Sequence, residues 1–285
     1  MILNYNSAQA LRAFLEQEHL GMQKKFGQNF LINPQVRNDL VQALDAPCEN
    51  EVWEIGPGLG AMTALLLKKG LIVKAFEIDK GFIRALKDIF AEDINKNIFL
   101  VEGDVMKTWE PQLPAAKYLF GNLPYNIAAA LLADFIEKGN NFLRIVVTVQ
   151  KEVALRMAAA AGSPDYSSFS VLCASVYNVK PLMVIHRDSF YPQPNVESMA
   201  VLLERKEECI YPAVFYPLVR ALFSSRRKTI KNNLLNFLSS RFNKQAQTVC
   251  ADILSQNNLN GNERAEKLEL DAFLSLAKSI DNMRI

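Results

Sequence analysis

Short apolar runs alternate with helical patterns over the first two-thirds of this chain, and this alternation restricts the possible folds more than any other feature. Strand-like runs occur at residues 51–55, 71–78, 97–101, 117–120 and 143–149. Helical patterns lie between them, as at residues 61–69 and 82–90. Strands that alternate with helices predict a parallel sheet with helices on both faces. The sequence therefore predicts an α/β fold.

The pattern changes after the last of these runs. One more strand is predicted at residues 199–204, and prolines precede it at Pro181, Pro192 and Pro194. From about Ile210 onward the chain has helical patterns and few turn signals. We therefore predict two domains, an α/β domain over residues 1–206 and a small all-helical domain over residues 207–285.

Composition limits the kind of protein that this chain can be. Half of its 285 residues are hydrophobic, which is enough for a full core, and its apolar runs are too short to span a membrane. The chain does not begin with a basic segment and a long apolar core, so no secretory signal is expected. The four cysteines and two histidines form no paired metal or redox motif. We expect a cytoplasmic protein without a membrane partner or a metal site.

Charge is distributed unevenly, although the net charge is only +2. Residues 210–245 contain no Asp or Glu but hold seven basic residues: Arg220, Arg226, Arg227, Lys228, Lys231, Arg241 and Lys244. A cluster of one sign is typical of a surface that binds a phosphate backbone. A solvated helix face is the alternative, but such faces usually mix signs. The sequence thus predicts phosphate contacts from four residues at near-helical spacing: Arg226, Arg227, Lys228 and Lys231.

A glycine-rich turn follows the first predicted strand. In "EVWEIGPGLGAMT", Gly56, Gly58 and Gly60 occupy alternate positions just before a predicted helix. Glycine lets the backbone approach a ligand closely, and a helix N-terminus favours anionic or polar groups. A tight turn that binds nothing is the alternative. The G-x-G-x-G spacing differs from the G-x-G-x-x-G of dinucleotide folds and so disfavours a nicotinamide cofactor.

Acidic residues end the next two predicted strands. Glu77 can accept hydrogen bonds from ribose hydroxyls, and Asp104 can accept one from an amino group. The carboxyl ends of parallel strands meet at one edge of the sheet, so both should lie beside the glycine turn. This combination resembles the Class I methyltransferases, which use S-adenosylmethionine.

The segment "KYLFGNLPYNIAAALL", residues 117–132, joins a predicted strand to a predicted helix. The side-chain oxygen of Asn122 can accept one N–H of a nucleobase amine. The carbonyl of Leu123 or Pro124 can accept the other, and Tyr125 can stack on the ring. The segment therefore suits a flat base that carries an amino group, and a proline turn with a buried tyrosine is the alternative.

Several motifs together resemble those of the ribosomal RNA adenine N6,N6-dimethyltransferase family. They are "KKFGQNFL", "EIGPGLG", "EID", "GD", "NLPYNI", "QKEVA", "FYPQPNVES", "SRRKTIKNNL" and "RAEKL". The resemblance extends from Lys24 to about Ile280 and implies a Rossmann-like methyltransferase sheet with S-adenosyl-L-methionine as cofactor. It implies dimethylation at N6 of two adjacent adenines of small-subunit ribosomal RNA. We further expect a monomer that acts on a pre-ribosomal particle and contributes to ribosome biogenesis.

The resemblance and the arguments above assign roles to individual residues. The cofactor is expected to contact Asn29, Leu31, Gly56, Gly58, Glu77, Asp104 and Asn122. The target adenine is expected to contact Asn122, Leu123, Pro124, Tyr125 and Phe190. Phe190 would stack on the base opposite Tyr125. Core packing is the alternative for Leu31 and Phe190, and a loop-capping role is the alternative for Asn29.

The chain departs from the family pattern at two places. Ala128 and Ala129 follow "NLPYNI", where Ser or Thr is common, and Ser167 stands where glycine commonly follows the tyrosine. Two other functions also remain open. One is a ribosome-assembly role in which catalysis is secondary. The other is DNA methylation, which the RNA-type "NLPYNI" and the small helical tail disfavour.

Overall fold

The structure is a computed structural model, and it describes residues 3–22, 28–140, 142–207 and 210–283. The chain divides into two compact units. The first comprises Met1–Ala154 and Val179–Arg205, and the second comprises Leu155–Asn178 and Lys206–Ile285.

Residues 155–178 group with the C-terminal helices, whereas the sequence prediction assigns them to the α/β domain. The physical reason is packing. Tyr166 and Val171 are buried in the same apolar core cluster as Phe215. The Tyr166 hydroxyl also donates a hydrogen bond of 3.0 Å to the carbonyl of Leu268. These contacts link sequence-distant segments, which local patterns do not reveal.

The strands and helices are numbered in chain order. The strands are β1 (Phe30–Leu31), β2 (Glu51–Ile55), β3 (Ile72–Glu77), β4 (Ile98–Glu102), β5 (Tyr118–Asn122), β6 (Arg144–Gln150), β7 (Tyr177–Ile185), β8 (Phe190–Tyr191) and β9 (Ser198–Arg205). The helices are α1 (Ala8–Gln17), α2 (Pro34–Leu44), α3 (Ala61–Lys68), α4 (Lys80–Ile89), α5 (Val105–Thr108), α6 (Ala128–Glu137), α7 (Lys151–Ala158), α8 (Ser168–Val176), α9 (Phe215–Phe223), α10 (Ile230–Phe242), α11 (Ala246–Gln256) and α12 (Leu270–Asn282).

Seven strands form one mixed sheet in the order β4-β3-β2-β5-β6-β9-β7. The five strands from β4 to β6 are parallel, which confirms the predicted arrangement. Strand β9 is antiparallel to β6, and β1 and β8 form a separate antiparallel pair. The chain passes from β2 to β3 and β4 and then returns to β5 on the other side of β2. The carboxyl ends of β2 and β5 therefore flank the switch point at which such sheets bind ligands.

Alternate residues of β2 point to opposite faces of the sheet, as strand geometry requires. Val52 lies in an apolar cluster with Leu40 of α2 and other residues of that face. The Trp53 ring instead packs against Phe142, with 5.6 Å between ring centroids. Phe142 in turn packs against Phe135 of α6, at 5.3 Å. Helices thus cover both faces, as expected for a Rossmann-like methyltransferase sheet.

Polar side chains fix the starts of several helices. Asn33 Oδ1 accepts from the backbone N–H groups of two residues in the first turn of α2, and Pro34 occupies the first helical position. Asp79 caps α4 in the same way. In the second unit, the Ser167 N–H donates to Ser170 Oγ at 3.0 Å where α8 begins. Ser167 therefore forms an ordinary helix start at its departure from the family pattern.

Helices α8 to α12 surround the core of the second unit, which confirms the small helical domain. Its buried side chains include Phe215, Leu218, Leu222, Ile230, Leu234, Ile253, Phe273 and Leu276. Across the described parts of the chain, no helix combines the length and the apolar character that a membrane crossing requires.

Candidate active site

A cavity of about 290 Å³ opens at the carboxyl ends of β2, β3, β4 and β5 in the first unit. Its lining includes the seven residues that the sequence assigns to the cofactor: Asn29, Leu31, Gly56, Gly58, Glu77, Asp104 and Asn122. Pro124 of the "NLPY" segment also lines it. The structure therefore brings together residues that lie up to 95 positions apart, from Asn29 to Pro124.

Strand β1 and the residue before it supply one wall of this cavity. Leu31 pairs with Phe190 of β8, and Arg37 Nη1 donates to the Leu31 carbonyl at 3.0 Å. The same nitrogen donates to the Tyr5 carbonyl at 2.9 Å. These bonds fix the backbone that carries Asn29. Residues 23–27, which include most of the "KKFGQ" part of its motif, lie outside the described residues.

The glycine turn has a backbone that other residues adopt only with strain. Gly58 has φ +60°, and a Cβ there would lie 3.1 Å from the Phe30 ring. Gly60 has φ +86°, and a Cβ there would overlap the Phe90 ring. A Cβ on Gly56 would meet nothing within 4 Å, so the space above the turn is open. The turn thus leaves room for a ligand in front of the N-terminus of α3.

Glu77 is buried at the end of β3 and is held by three backbone N–H groups. Its Oε1 accepts from Ile78 and Asp79, both at 2.9 Å, and its Oε2 accepts from Gly58 at 3.1 Å. Burial raises its pKa to about 7, against the lowering effect of these bonds. The carboxyl group is therefore fixed in one orientation, and Oε2, which accepts only the bond from Gly58, keeps a lone pair for a ligand hydroxyl.

Glu54 is a lining residue that the sequence analysis missed. It is buried on β2, where its Oε2 accepts from the Thr63 hydroxyl at 2.7 Å. Burial raises the pKa of Glu54 to about 7, and repulsion from Glu77 adds to the rise. A carboxylate between the apolar residues Trp53 and Ile55 was the signal available in the sequence.

Asp104 combines a structural role with an exposed face on the cavity. Its Oδ1 accepts from the Met106 N–H at 3.0 Å and so caps α5. The cap holds the Asp104 carboxylate beside the cavity, just beyond the end of β4. The second oxygen can therefore accept a hydrogen bond from an amino group of a ligand.

Asn122 is fixed at both ends of its side-chain amide. Its Nδ2 donates to the Asn29 carbonyl at 2.8 Å, and its Oδ1 accepts from the Thr148 hydroxyl. Thr148 lies on the neighbouring strand β6, directly opposite Asn122 in the register. The amide consequently bridges the wall that carries Asn29 and the sheet. Thr148 was not among the residues singled out from the sequence.

The two carbonyls of the "NLPY" segment differ in their partners. The Pro124 carbonyl accepts from the N–H groups of Ile127 and Ala128, each at 3.1 Å, where α6 begins. Helix α6 starts without a side-chain cap, because its N-cap residue, Ile127, has no polar side chain. Both lone pairs of the Pro124 oxygen are thereby engaged. Of the two acceptors considered from the sequence, the geometry thus favours the Leu123 carbonyl.

Tyr125 and Phe190 have different surroundings. Tyr125 is half-buried, its hydroxyl lies 2.6 Å from Ser198 Oγ, and burial raises its pKa. Phe190 is only 2% exposed and packs in the core cluster of Leu31, because its strand directs the side chain inward. The Phe190 ring therefore offers no open face to a base in this structure. Leu123 is buried as well and does not line the cavity.

The four basic residues assigned to RNA contacts are all exposed, but only Lys231 lies in a helix. Arg226, Arg227 and Lys228 belong to the turn between α9 and α10, so the predicted helical spacing is wrong for them. Asn233 Nδ2 donates to the carbonyl of Leu222 in α9 at 2.7 Å and to that of Ser225 in the turn at 3.2 Å, which holds the turn against the end of α9.

Arg226 is tied to its own unit. It donates to the carbonyl of Pro164 at 3.2 Å and forms an ion pair of 3.4 Å with Glu266. Its guanidinium therefore supports the fold of the second unit in addition to any role at the surface. Arg227 and Lys228 are exposed neighbours in the same turn.

No group of three His, Cys, Asp or Glu side chains suited to a metal ion occurs among the described residues. Cys173 and Cys250 are buried free thiols, and Cys48 is an exposed one. Burial raises the pKa of the Cys173 thiol, which keeps it protonated and unreactive.

Comparison with known proteins gives consistent matches along the whole chain. The family described as "Ribosomal RNA adenine dimethylase" matches residues 20–282. The ribosomal RNA small subunit methyltransferase A of Treponema denticola is 47% identical over 98% of this chain and 97% of the relative. That of Borreliella burgdorferi is 36% identical over 99% of this chain and 96% of the relative.

Two solved structures are similar to this one. The crystal structure of a dimethyladenosine transferase from Plasmodium falciparum has a TM-score of 0.77 and 27% identity, covering 88% of this chain and 96% of that one. The crystal structure of the 23S rRNA methyltransferase ErmE has a TM-score of 0.64 and 19% identity, covering 88% and 99%. The second likeness shows the fold alone.

Proposed function

Because this chain belongs to the ribosomal RNA adenine dimethylase family, we propose that it methylates N6 of adenines in small-subunit ribosomal RNA twice, with S-adenosylmethionine as methyl donor. One observation carries the proposal. The cavity at the switch point of the sheet joins a nucleoside-type lining, with Glu77 and Asp104, to the fixed amide of Asn122. The methyl donor and the amine that receives the methyl group would thus bind at adjacent positions.

The residues of the cavity fit S-adenosylmethionine. Glu77 would accept a hydrogen bond from a ribose hydroxyl, and Asp104 would accept one from the adenine amino group. The open space above Gly56 takes the amino-acid portion, at the N-terminus of α3. Asn29 and Leu31 cover the ligand from the β1 side. When bound, S-adenosylmethionine supplies a methyl group activated by its sulfonium.

Asn122 and Leu123 orient the target amine. The free lone pair of Asn122 Oδ1 accepts one N–H of N6, and the Leu123 carbonyl accepts the other. This arrangement rotates the nitrogen lone pair out of conjugation with the ring and directs it at the methyl group. Tyr125 stacks on the extruded base, whose unstacking must be offset by the pocket. Phe190 would have to leave its core position to supply a second face.

Positioning and electrostatics provide most of the acceleration, without a strong general base. Asn122 cannot take up a proton at ordinary pH. Once N6 has accepted the methyl group that the cofactor would supply, the proton of the resulting cation would leave to solvent. The product retains one N–H, so one acceptor still holds it while the methyl group takes the other direction. Monomethyladenine is therefore an intermediate.

We further propose that the second unit binds the phosphate backbone through Arg227, Lys228 and Lys231, with a contribution from Arg226. The absence of acidic residues from the sequence of residues 210–245 supports this role. The resemblance to the family supports a pre-ribosomal particle as substrate, a monomeric state and a cytoplasmic location. An additional role in ribosome assembly is compatible with the same contacts.

Mass spectrometry of small-subunit ribosomal RNA tests the proposal. RNA from cells that lack this gene should contain no N6,N6-dimethyladenosine, and restoring the gene should restore it. Restoration by an Asn122→Ala variant is expected to fail, while the variant still accumulates as folded protein. Unchanged N6,N6-dimethyladenosine in cells that lack the gene would contradict the proposed substrate.

A further inference from the structure

Thr148 contacts the "NLPY" segment twice, through its side chain and through its backbone. Its hydroxyl donates to Asn122 Oδ1, and its carbonyl accepts from the Leu123 N–H at 3.1 Å. The residue is 1% exposed and lies opposite Asn122 in the pairing of β5 with β6. Thr148 therefore touches both residues that supply acceptors to the target amine.

The hydroxyl of Thr148 is a polar group within a buried apolar stretch of β6. The buried part of β6 reads Ile145-Val146-Val147-Thr148-Val149, so this is the one polar side chain within the run. A buried hydroxyl destabilises the fold unless it forms a hydrogen bond. Valine has nearly the same shape and would fill the position without that cost. The hydroxyl is explained by its bond to Asn122 and not by packing.

The two partners of the Asn122 amide determine its orientation together. The Asn29 carbonyl can only accept, so the amide atom that faces it must be Nδ2. The opposite atom, Oδ1, then faces a hydroxyl that donates to it. Loss of that donor would leave the amide held at one end, and it could rotate about its terminal bond. One of the two lone pairs of Oδ1 would also lose its partner.

We propose that Thr148 is a positioning residue that fixes the Asn122 acceptor toward the target amine, and that the second methyl transfer depends on it most. This inference rests on the proposed function. In the first transfer the amine has two N–H groups, so Asn122 and Leu123 hold it jointly. In the second transfer one N–H remains, and a single acceptor decides where the lone pair points. A loosely held Asn122 therefore affects the second step more than the first.

Two variants separate the hydroxyl from the packing of the side chain. Thr148→Val keeps the branched shape and removes the donor, whereas Thr148→Ser keeps the donor and removes the methyl group. Unmethylated small ribosomal subunits are incubated with each protein, and N6-methyladenosine and N6,N6-dimethyladenosine are measured over time by mass spectrometry. Calorimetry with S-adenosylmethionine and thermal unfolding are measured on the same preparations.

We expect Thr148→Val to bind S-adenosylmethionine normally and to slow the first transfer by about tenfold, the effect of removing one hydrogen bond. The second transfer should slow further, so that N6-methyladenosine accumulates. Thr148→Ser should restore the wild-type ratio of the two products. A wild-type ratio in Thr148→Val, or an equal slowing of both steps that serine does not rescue, would overturn the inference.

A second readout needs no turnover. The side-chain amide signals of Asn122, identified in a nitrogen-15 NMR spectrum by their loss in Asn122→Ala, report the mobility of the amide. They should broaden or shift in Thr148→Val and remain in place in Thr148→Ser. Unchanged signals in Thr148→Val would show that the hydroxyl does not fix the amide. An inactive wild-type protein with these expected signals would contradict the proposed function and leave the positioning role of Thr148 supported.

Discussion

At the scale of single residues, hydroxyl groups from two other strands form hydrogen bonds with the side chains that we propose to face the target base. Thr148 of β6 fixes Asn122, and Ser198 of β9 bonds to the Tyr125 hydroxyl at 2.6 Å. Each supporting residue is distant in sequence, by 26 and 73 positions. The sequence predicts Asn122 and Tyr125 from a local motif, but the supports depend on strand pairing and could not be predicted from it.

Removal of the Tyr125 ring should slow catalysis without weakening cofactor binding. Stacking on a base contributes about 1–3 kcal/mol, so Tyr125→Ala should lower the methylation rate by about tenfold to a hundredfold. Tyr125→Phe keeps the ring and should cost less, although Ser198 loses its partner. Calorimetry should find unchanged affinity for S-adenosylmethionine, because Tyr125 does not line the cavity. An equal loss of cofactor affinity in Tyr125→Ala would mean that the ring is structural.

The two buried carboxyl groups predict a pH dependence of the ligand-free protein. Burial raises the folded-state pKa values of Glu54 and Glu77 to about 7, above the unfolded value. The folded state therefore holds more protons between the two values, and stability falls as pH rises through that range. The thermal unfolding midpoint should therefore decrease as the pH is raised from about 5 to about 7.5.

Glu77→Gln provides the control for this pH dependence. The variant should unfold with a smaller decrease over the same range, because one of the two titrating groups is absent. It should also bind S-adenosylmethionine more weakly, since an amide presents one acceptor oxygen where the carboxylate presents two. A pH dependence equal to that of the wild type would remove Glu77 as its source.

At the scale of elements, some features of the fold can be predicted from local sequence patterns, and others depend on contacts between distant segments. The strand ends and the glycine turn follow from local patterns and were predicted. The antiparallel pairing of β9 with β6 and the enclosure of Phe190 follow from contacts across the sheet. The turn of residues 224–229 was predicted as helical, because basic residues are as compatible with a helix as with a turn.

That turn and the start of α10 should determine the salt dependence of RNA binding. Replacing Arg227, Lys228 and Lys231 with Gln removes up to three cations that can face phosphates. Removal of each phosphate contact should reduce the slope of log K against log salt by about 0.7–0.9. Arg12→Gln in the first unit is the matched control, because Arg12 is an exposed cation paired with Glu16. An unchanged slope in the triple variant would identify the turn as an ordinary solvated surface.

Arg226 is expected to behave differently from its neighbours. Its replacement by Gln removes bonds to the Pro164 carbonyl and to Glu266 within the second unit. We expect a lower unfolding temperature for Arg226→Gln in addition to weaker RNA binding. Arg227→Gln should weaken RNA binding without that change, and equal unfolding temperatures of the two variants would contradict the structural role of Arg226.

At the scale of the whole molecule, the chain consists of an α/β unit that carries the cavity and a helical unit that carries the basic surface. The class of the fold was predicted from the alternation of strands and helices. The assignment of residues 155–178 to the helical unit was not predicted from the sequence. Nothing in the local sequence around Tyr166 and Val171 indicates the core in which these residues are buried. Site residues on strand ends were predictable, since the ends of parallel strands meet by geometry.

In the mechanism that we propose, the fixed amide of Asn122 orients the target amine and no strong base is required. The most direct test is a single-turnover time course of N6-methyladenosine and N6,N6-dimethyladenosine formation, with wild-type protein and Asn122→Ala, across a range of pH. We predict that the wild type forms the monomethyl product first and that Asn122→Ala forms neither product. Near-normal turnover by Asn122→Ala, or a wild-type rate that falls about tenfold per pH unit below neutrality as an essential base requires, would contradict this account.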